Sequence, residues 1–216
     1  MLLETGNRKQ RHVLIADGMS EVGTAVVQAF AERGATSAFF CGDRFREALL
    51  LSRDTGALNI KCNILSQESL ASAMDVADAF FEHRLNTVIC NIRPEVPESL
   101  SSLDFEEITE CWHHNLDSIC AFLKDSISML LEDGSVVVLL PKKEQGKNAA
   151  GIVTGMIRGA LEGMIESTAQ ILKERGIRMN GMAMDEENVS PESVAKTIRF
   201  LASSESTGIT GRILQL

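Results

Sequence analysis

Short apolar runs alternate along the chain with longer amphipathic stretches, the pattern of repeated strand–helix units around a largely parallel sheet. His12 to Ala16 reads as the first strand, and Ser20 to Arg33 as a helix that Gly34 stops. Ala38 to Cys41, Leu58 to Lys61 and Thr87 to Cys90 are three further strands, short and apolar as strands covered on both faces are. Helical segments near Arg44 to Arg53 and Gln67 to His83 separate them. A long helix is expected over Asp104 to Leu131, followed by Val136 to Leu140, the strand richest in β-branched residues. A second long helix, Ala149 to Arg175, ends at Gly176. Ile177 to Ala183 is the sixth strand, Ser190 opens a helix with Pro191 at its first position, and Arg212 to Leu216 is the seventh strand. Right-handed crossovers between such units predict an α/β, Rossmann-like, doubly wound sheet of seven mostly parallel strands with helices on both faces. Repeats, low-complexity tracts and linkers are absent from the sequence, so one domain over 1–216 is expected.

Composition narrows the partners. The 216 residues are 44% hydrophobic, enough for one sizeable core. Lys and Arg number 21 against 30 Asp and Glu, and the net charge of −9 disfavours a nucleic-acid backbone or an anionic membrane surface. Met1 to Arg11 carries only a two-leucine patch before a polar, basic stretch and reads as neither signal nor anchor. No run approaches the roughly 18 apolar residues that span a bilayer. Cys41, Cys62, Cys90, Cys111 and Cys120 are widely spaced and form no Cys-x-x-Cys pair, which predicts reduced, buried thiols in a cytoplasmic protein.

Three stretches carry a resemblance. They are Val13-Leu-Ile-Ala-Asp-Gly-Met-Ser-Glu-Val-Gly23 with Phe30-Ala-Glu-Arg-Gly-Ala35, then Ala160-Leu-Glu-Gly163, then Gly176-Ile-Arg-Met-Asn180; Ile209-Thr-Gly211 adds a fourth, weaker one. Together they make the chain, from Val13 to Ile213, resemble the short-chain dehydrogenase/reductase family. The resemblance implies a Thr-Gly-x-x-x-Gly-x-Gly loop whose amides and helix N-terminus receive a dinucleotide's phosphates. Aligned on Gly23, the threonine falls at Ala16, the first glycine at Asp17 and the second at Glu21. Two carboxylates facing a diphosphate would each cost about 3 kcal/mol at ~5 Å and an effective dielectric near 20. A dinucleotide bound at ~10 μM has only about −7 kcal/mol to lose. Alternatively Gly18 shifts the register and Asp17 points into solvent. Asp43 stands near the family's ribose-binding acid, with a helix N-cap as the other reading, and Asn63 near its adenine-contacting aspartate, with an ordinary turn as the other. Cys90-Asn91-Ile-Arg93 takes the place of the family's Asn-Asn-Ala-Gly. Arg93 either pairs with Asp17 or Glu21 and plugs the cleft, or lies exposed ahead of Pro94.

The catalytic set departs furthest, because the chain contains no tyrosine. The alignment puts Thr154 at the family's catalytic tyrosine, Arg158 at its lysine and Pro141 or Leu140 at its serine. A threonine hydroxyl does not ionise usefully near neutral pH and arginine keeps its proton, so the pair cannot act as a tuned acid and base. Asn115 alone is retained, and its bland role is to bond backbone carbonyls between the long helix and the fourth strand. Met184-Asp185 replaces the Pro-Gly that opens the family's substrate lid, and Glu186 to Val189 is too short to cover a substrate.

Outside these positions, Cys111-Trp-His113-His114 is a cluster without a third ligand or an orienting acid, better read as packing. Lys142-Lys143-Glu-Gln-Gly-Lys147 is a small basic loop, solvated by default. Gly151, Gly155, Gly159 and Gly163 repeat along the second long helix, each costing about 0.8–1 kcal/mol against alanine. Close backbone approach explains such a stripe, either to the chain's own sheet or across the helix-pair interface that the resemblance implies. The expectation is a non-catalytic subunit without a bound cofactor. It would support an active paralogue in a heteromer, hydroxyacyl or ketoacyl dehydrogenases being the family analogy, or assemble with itself as a dimer or tetramer. The alternatives are a divergent oxidoreductase using NAD or NADP, and a module that senses a metabolite or nucleotide.

Overall fold

The structure, a computed structural model, describes residues 11–92, 105–141, 149–184 and 189–216. Seven strands alternate with helices: β1 (His12–Ile15), α1 (Glu21–Ala31), β2 (Thr36–Phe40), α2 (Phe45–Thr55), β3 (Leu58–Ile60), α3 (Gln67–Phe81) and β4 (Thr87–Cys90) in the first half. The second half runs α4 (Phe105–Trp112), α5 (Ser118–Met129), β5 (Ser135–Leu140), α6 (Ala149–Leu172), β6 (Arg178–Ala183), α7 (Pro191–Ala202) and β7 (Ile213–Gln215). The sheet order is β3-β2-β1-β4-β5-β6-β7 and every neighbouring pair is parallel. The fold is therefore the predicted Rossmann-like one, with a wholly rather than mostly parallel sheet.

Alternation along each strand divides the core in two. Leu14, Val88, Val136 and Val138 pack under α3, α5 and α6. Their neighbours Val13, Ile15, Phe39, Ile89 and Val137 pack under α1, α2 and α7. All of these side chains are fully buried, which is why the strands read as continuous apolar runs. The punctuation works as the sequence predicts. Ser20, Ser66 and Ser190 cap α1, α3 and α7 with their hydroxyls, and Pro191 sits in the first turn of α7. Gly34 and Gly176 take the left-handed conformation at φ 73° and 67° where helical segments stop.

Two expectations change. β2 begins at Thr36, where the Thr36 amide bonds the Arg11 carbonyl and the strand pairs with His12, so the polar Thr36-Ser37 start concealed it. The long helix expected from Asp104 to Leu131 is interrupted: a π-turn, His113–Asp117, separates α4 from α5, and Leu130 is already extended. Such a turn inserts one residue, and no proline or glycine marks it in the sequence. Asp104 itself lies outside the described residues. None of the described helices is long and apolar enough to cross a membrane.

At the opposite end of the sheet from the crevice, His12 is buried against the edge of the Phe81 ring, with centroids 6.0 Å apart. Burial, reinforced by the nearby Arg84 guanidinium, holds its imidazole below the ordinary pKa. The unfolded chain thus takes up this proton at higher pH than the folded one. The stabilisation is present above about pH 6.5 and is lost as pH falls below that value. His12→Gln is expected to flatten the decline in thermal midpoint between about pH 6.5 and pH 5; a decline as steep as the wild type's would assign the acid sensitivity elsewhere.

Candidate functional site

Strand order reverses between β1 and β4, and the crevice beyond their C-terminal ends is where a doubly wound sheet receives its ligand. The loop from β1 to α1 and the first residues after β4 form its floor. Asn91, buried at the end of β4, clasps Asp17 from both sides: Asn91 Oδ1 accepts the Asp17 amide at 2.9 Å, and Asn91 Nδ2 donates to the Asp17 carbonyl at 2.5 Å. The Asp17 carboxylate then turns back on its own loop, its Oδ1 accepting the amides of Met19 at 2.9 Å and Ser20 at 3.2 Å. Gly18 donates its amide to the Phe40 carbonyl, and the Gly23 amide goes to Ser20 Oγ. The amides of residues 17–20, 23 and 24 are thus all engaged within the chain.

This arrangement answers the question the sequence left open about Asp17. Its half-buried carboxylate folds over the loop's own amides, a third placement beside facing a diphosphate or pointing into solvent. Both retained glycines are explained by close approach. A Cβ at Gly18 would lie 2.2 Å from Phe39 Cδ2, and one at Gly23 would lie 1.9 Å from the Asp17 carbonyl oxygen. Glu21 is exposed in the first turn of α1. Arg93, and with it the plug reading, lies outside the described residues.

The remaining crevice positions are turn residues. Asn63 Oδ1 accepts the Leu65 amide at 3.1 Å, and the Asn63 amide donates to Ser69 Oγ, closing the turn from β3 into α3. Asp43 is exposed beyond Gly42, and the capping position of α2 belongs to Arg44, which provides no side-chain cap; the N-cap reading of Asp43 is corrected accordingly. Asn115 is buried within the π-turn, where its Nδ2 donates to the Cys111 carbonyl at 2.7 Å.

At the end of β5 the structure brings two of the family positions together. Arg158 is 9% exposed; its Nη1 donates to the Pro141 carbonyl at 2.8 Å and its Nε to Glu162 Oε1 at 2.7 Å. Thr154 lies half-buried one turn earlier on α6. A cation in this position, charge-paired along its own helix and tied to a strand-end carbonyl, is a weld between α6 and β5. Glu162 escaped the sequence reading, although the spacing of Arg158 and Glu162 by four residues on a helix is a legible signal.

Four of the thiols are buried, but Cys120 is exposed on α5, contrary to expectation, and all five are free. Burial pushes Cys62 up to about 11 and Cys90 up to about 12, so neither is a thiolate at neutral pH. His113 pairs with Asp117 at 2.9 Å, and no cluster of three or more metal-binding side chains occurs among the described residues. The basic loop from Lys142 to Lys147 and the shortened lid at Asp185 to Glu187 and Asn188 lie outside them. The glycine stripe divides. Gly151 is buried, whereas a Cβ at Gly155, Gly159 or Gly163 would meet nothing within 4 Å among the described residues. Val153, Ile157, Leu161 and Ile165 occupy the sheet side of α6, so those three glycines face outward, beside exposed Ile152 and Met156, and do not pack on the chain's own sheet.

Comparison with known proteins agrees with this geometry at the level of fold. The family described as enoyl-(acyl carrier protein) reductase matches residues 18–184. The short-chain dehydrogenase reductase ATA1 of Arabidopsis thaliana is 21% identical over 95% of this chain and 90% of its own length. The NADH-dependent enoyl-[acyl-carrier-protein] reductase of Aquifex aeolicus VF5 superposes with a TM-score of 0.84 at 18% identity, covering 96% of this chain and 94% of that one. BdcA in complex with NADPH gives 0.80 at 20% identity, over 95% and 92% of the two chains.

The weld at Arg158 can be measured. Arg158→Met leaves Glu162 and the Pro141 carbonyl without their donor and is expected to lower the unfolding free energy by about 1.5–3 kcal/mol in a urea titration. Arg158→Lys, which keeps the charge without the fork, recovers part of that loss. A fully stable Arg158→Met variant would mean that the arginine holds nothing together.

Proposed function

The chain belongs to the short-chain dehydrogenase/reductase family, and from that premise we propose that it is a degenerate, non-catalytic member acting as a subunit. It supports or regulates an active paralogue in a heteromeric dehydrogenase, with hydroxyacyl or ketoacyl substrates by family analogy. The observation that carries the reading is Arg158, pinned between Glu162 and the Pro141 carbonyl in a chain that has no tyrosine to tune. Loss of positioned proton transfer alone lowers a rate by about 10²–10⁴. The outward glycines of α6 supply the interface: each costs about 0.8–1 kcal/mol in a solvated helix, and a closely approaching helix offsets that cost.

Family membership and the relatives favour a second reading, a divergent NAD(P)-dependent oxidoreductase. The relatives are described as dehydrogenases and reductases, and the similar BdcA structure holds NADPH. The two readings part on turnover. With NADH or NADPH and a panel of ketoacyl thioesters, the purified chain is expected to oxidise cofactor no faster than the buffer blank. Turnover that survives Arg158→Lys and Thr154→Val would establish the oxidoreductase instead.

Association gives an independent check. Gly159→Ala should raise the stability of the isolated chain by up to about 1 kcal/mol. Gly159→Leu should leave its fold intact while removing a stoichiometric partner, or a second copy, from native mass spectra. An unchanged oligomeric state in Gly159→Leu would move the interface off α6.

A further inference from the structure

We propose that Asp17 is a built-in competitor of the dinucleotide diphosphate: its carboxylate sits on the loop amides that the family's fold offers to phosphate oxygens. The inference rests on the family assignment and not on the loss of catalysis, so it applies to a silent subunit and to a divergent oxidoreductase alike.

Its basis is a count of donors. An anion at the mouth of such a loop is held by backbone N–H groups and by the first turn of the following helix. Here Met19 and Ser20 already donate to Asp17 Oδ1, Asp17 donates to Asn91, and Gly18 donates to the Phe40 carbonyl. Among the described residues that leaves the first-turn amides of Glu21 and Val22, and Glu21 brings a carboxylate of its own to the same turn. Two hydrogen bonds donated by backbone amides to one carboxylate oxygen reproduce what a phosphate oxygen would accept there, without the entropic cost of capturing a free ligand. The competitor is also anchored. Asn91 holds the Asp17 backbone at both its amide and its carbonyl, so the carboxylate can leave only by rotating its own side chain. Loop glycines at positions 18 and 23 serve the packing of this closed form, against Phe39 and against the Asp17 carbonyl, instead of clearing a path for phosphate.

The test uses pyrophosphate and NADH as probes on the full chain, with the amide resonances of Met19 and Ser20 as reporters. In the wild type, pyrophosphate is expected to leave both resonances unmoved. Asp17→Gly, which removes acceptor and charge, is expected to give saturable shifts at both, and an NADH dissociation constant at least about tenfold lower than the wild type's. Asp17→Asn keeps an oxygen over the amides and removes the charge, and should fall between the two. Should Asp17→Gly fold poorly, Asp17→Asn and Asp17→Ser carry the comparison, and a rise of their thermal midpoints with added pyrophosphate gives a second readout. Wild-type shifts at Met19 and Ser20 equal to those of the variants would overturn the inference, and so would variants that gain no affinity for either probe. Neither result bears on turnover, which is measured separately.

Discussion

A parallel sheet with helices on both faces leaves no strand side chain in water, and this chain obeys that constraint along all its central strands. Beyond the strand ends, at the crevice, the backbone itself must still find partners. At the crevice end those partners come from within: Asn91 serves the β1–α1 loop, Asp17 serves its own amides, and Arg158 serves the Pro141 carbonyl. Self-satisfaction at these three points is the feature on which the functional reading depends.

An active site of this fold needs the opposite condition. Its amides must be unsatisfied until a ligand arrives, and its catalytic cation must be free to perturb a neighbour. Arg158 donates to a carboxylate and a carbonyl at once through its planar guanidinium fork. In this structure the side chain joins a helix to a strand. The fold shared with an NADH-dependent enoyl-[acyl-carrier-protein] reductase and with NADPH-bound BdcA is compatible with such a crevice, because the sheet and its helices are held chiefly by buried apolar contacts away from it.

Helix α6 shows the same separation between what holds the fold and what faces outward. Val153, Ile157, Leu161 and Ile165 bind it to the sheet, and the glycines offset from them leave a shallow, apolar-edged strip beside Ile152 and Met156. Alanine would fit at each of the three open positions with no clash among the described residues, which therefore do not explain their smallness.

Much of this was legible in the residues themselves. Continuous apolar runs such as Val136 to Leu140, serine caps and glycine stops are local signals, and they suffice for seven strands, their helices and their doubly wound order. The absence of tyrosine is equally plain in one dimension. What the sequence could not decide is where flexible or offset groups point. The π-turn at His113–Asp117 has no proline or glycine to mark it in the sequence. The Asp17 carboxylate had two sequence-compatible directions and took a third, because Asn91, 74 positions away, fixes the backbone that carries it. Local pattern determined the elements, since burial acts on each strand and helix face separately. Only the tertiary structure decided the state of the crevice, since hydrogen-bond partners there are supplied by segments far apart in the chain.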